Sequence, residues 1–174
     1  FGGVADLERK RVRAVSDSVF REDGVRLLRA VRLAAHLDFE IDGDTKKMAF
    51  RDSACLAGVS GERIRDEFLA VLSAGDALRH VYLLDELDLL GRIVPVLETG
   101  RGVTQPKEHY WDVFHHNVET VGTVEGLLNR TLRPPWVLEQ VPWSAQMDAY
   151  FSEVVGEGHT RATLLKLAGL LHDI

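Results

Sequence analysis

The chain has 174 residues, 45% of them apolar and 28% charged, which is ordinary globular composition and excludes a disordered, collagen-like or coiled-coil array. Its net charge of −6 argues against a generally basic nucleic-acid binder, and its single cysteine, Cys55, excludes an internal disulfide and fits a reducing, cytoplasmic setting. No apolar run reaches the length of a membrane span; the longest candidate, Leu164 to Leu171, is interrupted by Lys166.

In chain order, Arg11-Val12-Arg13-Ala14 alternates briefly and predicts a short strand, the end of a domain lying upstream. Residues 16–18 form a turn. A helix is predicted from about Glu22 to Leu37, with Leu27, Leu28, Val31, Ala34 and Ala35 on one side. Glu22, Arg26 and Arg29 fall on the opposite side, with Asp23 at the border beside Arg26. Asp42-Gly43-Asp44 breaks the chain, and Asp44 or Thr45 can cap a second helix through about Leu56. Ser60 can cap a third over 61–73, with Ile64, Phe68, Val71 and Leu72 buried. A fourth opens at Asp76, carries Leu78, Leu83, Leu84, Leu87 and Leu90, and stops at Gly91. Gly100, Gly102 and Pro106 make residues 98–106 the best linker signal, so a domain split is expected near 96–106. Helices follow from about Tyr110 to Leu128, Ser144 to Val155, and Thr160 onward. Pro134-Pro135 forces an extended turn between the first two. The last helix is apolar nearly all round and is expected in the middle of a core. The visible part reads as all-α.

Charge is uneven. Residues 1–35 hold eight Lys/Arg against five Asp/Glu, an excess of +3, which leaves −9 for the remainder. A local basic patch can meet a phosphate backbone, although a solvated helix face explains the same charges.

Glu22-Asp23-Gly24-Val25-Arg26 places two carboxylates at a helix start and a guanidinium one turn on. Its ordinary reading is dipole complementarity and an i,i+4 ion pair. Its functional reading follows from the hydrogen-bond inventory. A carboxylate only accepts and a guanidinium only donates. Cytosine and adenine both present an amine donor beside a ring-nitrogen acceptor, whereas uracil and guanine present the reverse. An Asp23/Arg26 pair can therefore accept C and A, while U or G would leave buried polar groups unpaired.

Phe1-Gly2-Gly3-Val4-Ala5-Asp6-Leu7 and the run Phe20 to Ala35 closely resemble the bacterial class II tRNA nucleotidyltransferase and poly(A) polymerase family. Val59 to Glu67 is similar to that family's neck. The resemblance implies a flexible loop at Gly2, Gly3, Asp6 and Leu7. It implies that Glu22, Asp23 and Arg26 template the incoming nucleotide, with Arg29 also binding it. Arg29 and Arg32 would lie near nucleotide phosphates or the primer end. Arg63 would be a further RNA contact, unless it simply pairs with Glu67. Gly24 stands where the family often has proline, which is expected to loosen the first turn. The family's Gly-Ser motif and paired aspartates, which hold Mg²⁺ for phosphoryl transfer, are absent from these residues, so no catalytic residue is assigned here.

His172-Asp173 ends the last apolar helix, and His115-His116 lies far upstream. A His, a distant His-Asp doublet and a later Asp resemble the ligand set of the HD phosphohydrolase superfamily. The resemblance aligns His116, rather than His115, with the first ligand, and implies a divalent-metal site of His116, His172 and Asp173, completed beyond Ile174. His36, His80, His109 and His159 are read as ordinary structural histidines. Since the chain opens without Met and closes within a helical pattern, it reads as a piece of a longer protein.

The expected organisation is a head remnant over 1–15, a helical neck over 16–97 and a truncated HD domain over 98–174. The expected function is part of an enzyme adding CCA to tRNA, or A residues to RNA, from CTP and ATP. A metal-dependent phosphohydrolase and a non-catalytic helical RNA-binding module are the other two readings. The expected partners are an RNA 3′ end and nucleotides, with no membrane.

Overall fold

The computed structural model describes residues 1–104 and 110–174, so Pro106 and His109 lie outside the described residues. Among the described residues the fold is all-α apart from one two-stranded ladder and an isolated bridge between Val154 and Thr160. The chain divides into two compact units, one of residues 1–75 and 79–95, the other of residues 76–78 and 96–174. No helix among the described residues is long and apolar enough to cross a membrane.

The first unit opens with α1 (Gly3–Glu8), β1 (Arg11–Val12) and α2 (Val19–Glu22). It continues through α3 (Val25–Leu37), β2 (Glu40–Ile41), α4 (Gly43–Arg51) and α5 (Gly61–Ser73). Its central helix is α3. Val25, Leu27, Leu28 and Val31 are 0% exposed there, and α3 packs on α5 through the buried Phe68, Leu69, Val71 and Leu72 side. Truncating one such leucine costs about 2–5 kcal/mol. Ile64, expected in that stripe, is only half-buried, and Leu69 takes its place. The strands pair in parallel, Arg11 with Glu40 and Val12 with Ile41, and α2 and α3 form the crossover between them.

Several helix ends differ from expectation for identifiable reasons. The stretch expected as a single helix from Glu22 is broken at Asp23, whose backbone is extended (φ −155°, ψ 105°). The second helix is capped by Asp42, which accepts the Asp44 N–H at 3.1 Å, because the Thr45 hydroxyl is committed to the Ala14 N–H at 2.9 Å. That helix ends at Arg51, and Ser53–Gly58 continues as a 3-10 turn. The fourth helix, α6 (Ala77–Glu86), stops before Gly91. Asp88 takes the left-handed conformation (φ +57°), and the Leu89 N–H returns to the Leu84 carbonyl at 2.8 Å, closing the helix without a glycine. Gly91 falls inside the next short helix, α7 (Leu90–Ile93).

The second unit carries α8 (Val113–Leu128), α9 (Trp136–Glu139), α10 (Ala145–Ser152) and α11 (Arg161–Leu170). Residues 95–100 are a 3-10 turn with Leu97 and Gly100 buried, so this part of the expected linker is packed structure. The helix expected from Tyr110 begins at Val113, because Asp112 caps it, accepting the His115 N–H at 2.8 Å. Helices α8 and α11 cross closely at Gly169, where a β-carbon would stand 3.2 Å from both Thr120 and Val124. The core position expected for the last helix is only partly realised. It buries Thr163, Lys166, Gly169 and Leu170, whereas Leu164 is 39% exposed.

Candidate nucleotide-binding and metal-binding sites

In the first unit, the break at Asp23 places Glu22 at the end of α2 and Arg26 in the first turn of α3. The two still pair, at 2.9 Å, and the Arg26 guanidinium also donates to the Val19 carbonyl at 3.2 Å. Glu22 is held from its other side by the Ser18 hydroxyl at 2.7 Å. Asp23 accepts the Val25 N–H at 3.3 Å and a guanidinium N–H of Arg63 at 2.8 Å. Arg63 therefore pairs with Asp23, not with Glu67 one turn along its own helix. Glu67 instead accepts Arg29 Nε at 2.9 Å on one oxygen and Arg32 Nε at 2.6 Å on the other.

The electrostatics keep Asp23 ionised. The Arg63 hydrogen bond holds its carboxyl below the usual carboxylate range, against the opposing effect of burial, and the charge of Arg26 adds to it. Glu22 is lowered likewise, first by Ser18 and then by Arg26. An acceptor-only group thus stands near a donor-only group, each anchored by a different neighbour. The Arg26 N–H donates to the Asp23 carbonyl at 3.1 Å, which holds the expected Asp23/Arg26 combination together, and no hydrogen bond or ion pair joins the two side chains.

Of the residues expected in a loop, Gly2 lies outside any helix as a left-handed N-cap (φ +78°), whereas Gly3, Asp6 and Leu7 are helical. Gly3–Glu8 is a short helix, and Asp6 is gripped by Arg13 through contacts of 2.9–3.1 Å. Arg13 also donates to the Phe1 carbonyl at 2.8 Å.

In the second unit, three ligand-type atoms converge. His116 Nε2 lies 3.1 Å from His172 Nε2 and 3.5 Å from Asp173 Oδ2, and His172 Nε2 is 3.6 Å from the same oxygen. His172 Nδ1 sits 2.7 Å from the Gly169 carbonyl. A carbonyl only accepts, so that nitrogen carries a proton, and in this tautomer of the imidazole the lone pair lies on Nε2, toward His116. Two nitrogens bound to one ion at about 2.1 Å stand roughly 3.0–3.4 Å apart, so the spacing suits a shared divalent cation. His115 is used differently: its Nδ1 lies 2.7 Å from the capping Asp112. His36 contacts the Ala70 carbonyl, and His80 is buried.

Comparison with known proteins decides the family. Residues 38–100 match the family described as "Probable RNA and SrmB- binding site of polymerase A". Over 125 residues the chain is 38% identical to an A-adding tRNA nucleotidyltransferase of Deinococcus radiodurans, covering 69% of this chain and 29% of that one. Over 92 residues it is 41% identical to a CC-adding tRNA nucleotidyltransferase of Geobacter sulfurreducens, covering 53% of this chain and 21% of that one. The chain belongs to the bacterial tRNA nucleotidyltransferase family. It spans less than a third of the length of these family members. Its fold matches a tRNA nucleotidyltransferase solved with a primer tRNA and an incoming ATP analog, at a TM-score of 0.65 and 20% identity, over all of this chain and 42% of that one. A Thermotoga maritima CCA-adding enzyme complexed with tRNA matches at a TM-score of 0.55 and 20% identity, over 97% and 36%.

Sequence reasoning missed three pairings in this family member, Asp23 with Arg63 and Glu67 with both Arg29 and Arg32. The spacing from 63 to 67 favours an i,i+4 pair on one helix, and that local signal misdirects both residues. The amphipathic stripes of α3 and α5 were the available clue, since packing those stripes together aligns their charged borders.

Proposed function

We propose that the chain is the nucleotide-selecting and RNA-contacting part of an RNA 3′-end nucleotidyltransferase that adds CCA to tRNA, or A residues to RNA, from CTP and ATP. The observation that carries this reading is the corner formed by Asp23 and Arg26. The carboxylate offers an acceptor to the exocyclic amine of C or A, and the guanidinium offers donors to the adjacent ring nitrogen. Glu22 and the Val19 carbonyl orient Arg26, and Arg63 orients Asp23, so selectivity needs little rearrangement. Arg29 and Arg32 face nucleotide or primer phosphates, and Arg63 contributes to RNA binding through its support of Asp23. Residues 1–174 contain no Gly-Ser followed by paired aspartates. The Mg²⁺-dependent step is therefore assigned to residues outside this range, and the chain alone is expected to be inactive in nucleotide addition. The test is steady-state incorporation of all four nucleotides by the full-length enzyme and by its Asp23→Ala and Arg26→Ala variants. Base selection should fall more than primer affinity. Parental discrimination of C and A from U and G in either variant overturns the reading.

A second reading for the other unit rests on the convergence of His116, His172 and Asp173. These residues would hold a divalent cation, which supplies Lewis-acid activation of a phosphoester and of water. The Gly169 carbonyl fixes the His172 tautomer, and α11 provides rigid support. Metal analysis and hydrolysis of a model phosphodiester by the full-length protein and by His116→Ala test it. A metal-free protein with no hydrolysis under Mg²⁺, Mn²⁺ or Ni²⁺ reduces this unit to a structural or RNA-supporting role.

A further inference from the structure

We propose that Glu67 is the positioning residue for a phosphate-binding pair, Arg29 and Arg32; this rests on the reading of those arginines as phosphate-facing. Glu67 stands on α5, with its side chain only 12% exposed, and each of its oxygens takes the Nε–H of one arginine. Arg63, its i,i+4 neighbour on the same helix, is engaged with Asp23. Both carboxylate oxygens are thus committed across the α3–α5 packing.

The edge each arginine uses is informative. A guanidinium has one N–H at Nε and four on its two terminal nitrogens, fixed in one plane. Binding through Nε sets that plane and leaves the terminal donors available. Neither the Arg29 nor the Arg32 side chain makes another hydrogen bond among the described residues, and these side chains are 47% and 33% exposed. Two forks, one turn apart on α3, therefore present outward-facing donors held from behind by a single carboxylate. The unit carries a net +1. A tetrahedral phosphate group, with several strong acceptors, matches this arrangement. Without Glu67 the two cations repel each other and both long side chains regain their rotamer freedom.

Glu67 acts on an anion in two opposing ways. Its charge repels the phosphate, so removing it by charge alone should tighten binding. Its geometry organises the forks, so removing it should weaken binding. The proposal is that the second effect wins.

The experiment measures binding of ATP, and separately of a single-stranded RNA ending in CC and lacking a 5′-phosphate, to the full-length enzyme over a salt titration. Glu67→Ala should weaken binding of at least one probe by about 5- to 50-fold, since two ordered side chains are released. Glu67→Gln, which retains one acceptor oxygen, should weaken it less. Loss for ATP alone assigns the site to the triphosphate, loss for RNA alone to the primer backbone, and loss for both to a shared position. The RNA salt slope separates positioning from charge loss. Arg29→Ala or Arg32→Ala should reduce it by about 0.7, whereas the Glu67 variants should leave it unchanged while lowering affinity. Thermal unfolding by circular dichroism checks the fold, and if Glu67→Ala does not fold, Glu67→Gln carries the comparison. If the arginine variants lose affinity while the Glu67 variants bind as tightly as the parent or tighter, Glu67 does not position them and the phosphate reading survives. If the arginine variants bind both probes like the parent, the phosphate reading fails and the proposal falls with it.

Discussion

A β-carbon on Gly24 would lie 2.3 Å from the Cys55 carbonyl oxygen. Gly24 has φ −58° and ψ −24°, which any residue can adopt, so it is space rather than backbone freedom that requires glycine here. The position does not loosen the first turn, as its departure from the family pattern suggested. It seats the 3-10 turn of residues 53–58 against the start of α3, directly behind Asp23. Gly24→Ala is expected to destabilise the chain by about 1–3 kcal/mol through overpacking, seen as a lower urea midpoint. A Gly24→Pro variant, which restores the family's common residue, should do the same. An unchanged midpoint in both would show that residues 53–58 yield without cost.

Acid should unfold this protein through a few named carboxylates. Hydrogen bonds from Arg51 and then Arg21 hold Asp17 below its ordinary value of 3.8, and Arg51 does the same for Asp52. A carboxyl whose folded pKa is depressed contributes stability that is present above its unfolded value and lost as pH falls through the folded one. Urea midpoints should therefore hold steady for these groups down to about pH 4 and fall below it. Arg51→Gln should lower stability near neutrality and flatten the acid limb, because both aspartates return toward their ordinary range. An acid limb as steep as the parent's would exclude Arg51 as its source.

The buried pair of Lys166 and Glu125, 2.6 Å apart, joins α11 to α8, and the other Glu125 oxygen accepts the Ala77 N–H at 2.9 Å. Lys166→Met leaves that carboxylate without its cation and is expected to cost about 3–5 kcal/mol. Adding Glu125→Gln, which keeps an acceptor for Ala77, should recover most of the loss. Equal instability of the single and double variants would show that packing, not charge, accounts for it.

Asn117 is 0% exposed on α8, and among the described residues neither the nitrogen nor the oxygen of its amide has a hydrogen-bond partner. Replacing it by leucine removes two unsatisfied polar atoms at similar shape. The expected gain is about 1–3 kcal/mol, read as a higher melting temperature. A lower one would mean that the two methyl groups, bulkier than the amide oxygen and nitrogen they replace, overfill the α8 core.

The helices with strong apolar stripes and the convergence of His116 with His172-Asp173 were legible in the residues or in their resemblance to known families. Stripes are local, since 3.6-residue periodicity needs only neighbouring positions, and α3 and α5 form over nearly the spans they predict. Helix ends were less legible, because a cap depends on which polar group is free to serve. Asp42 and Asp112 win where Thr45 is already bonded and where Tyr110 has no cap to offer. The Glu22–Arg26 pair is local and was legible, but the partners of Asp23 and Glu67 were decided by tertiary structure. Glu67 has Arg63 four residues before it, and Asp23 has Arg26 three residues after it. The approach of α3 to α5 instead brings Arg63 to Asp23 and both Arg29 and Arg32 to Glu67. Exposed ion pairs differ by at most about 1 kcal/mol, too little for sequence spacing to choose among them. The close packing of Leu27, Leu28, Val31, Phe68, Val71 and Leu72 is worth far more, and it fixes where each charge stands.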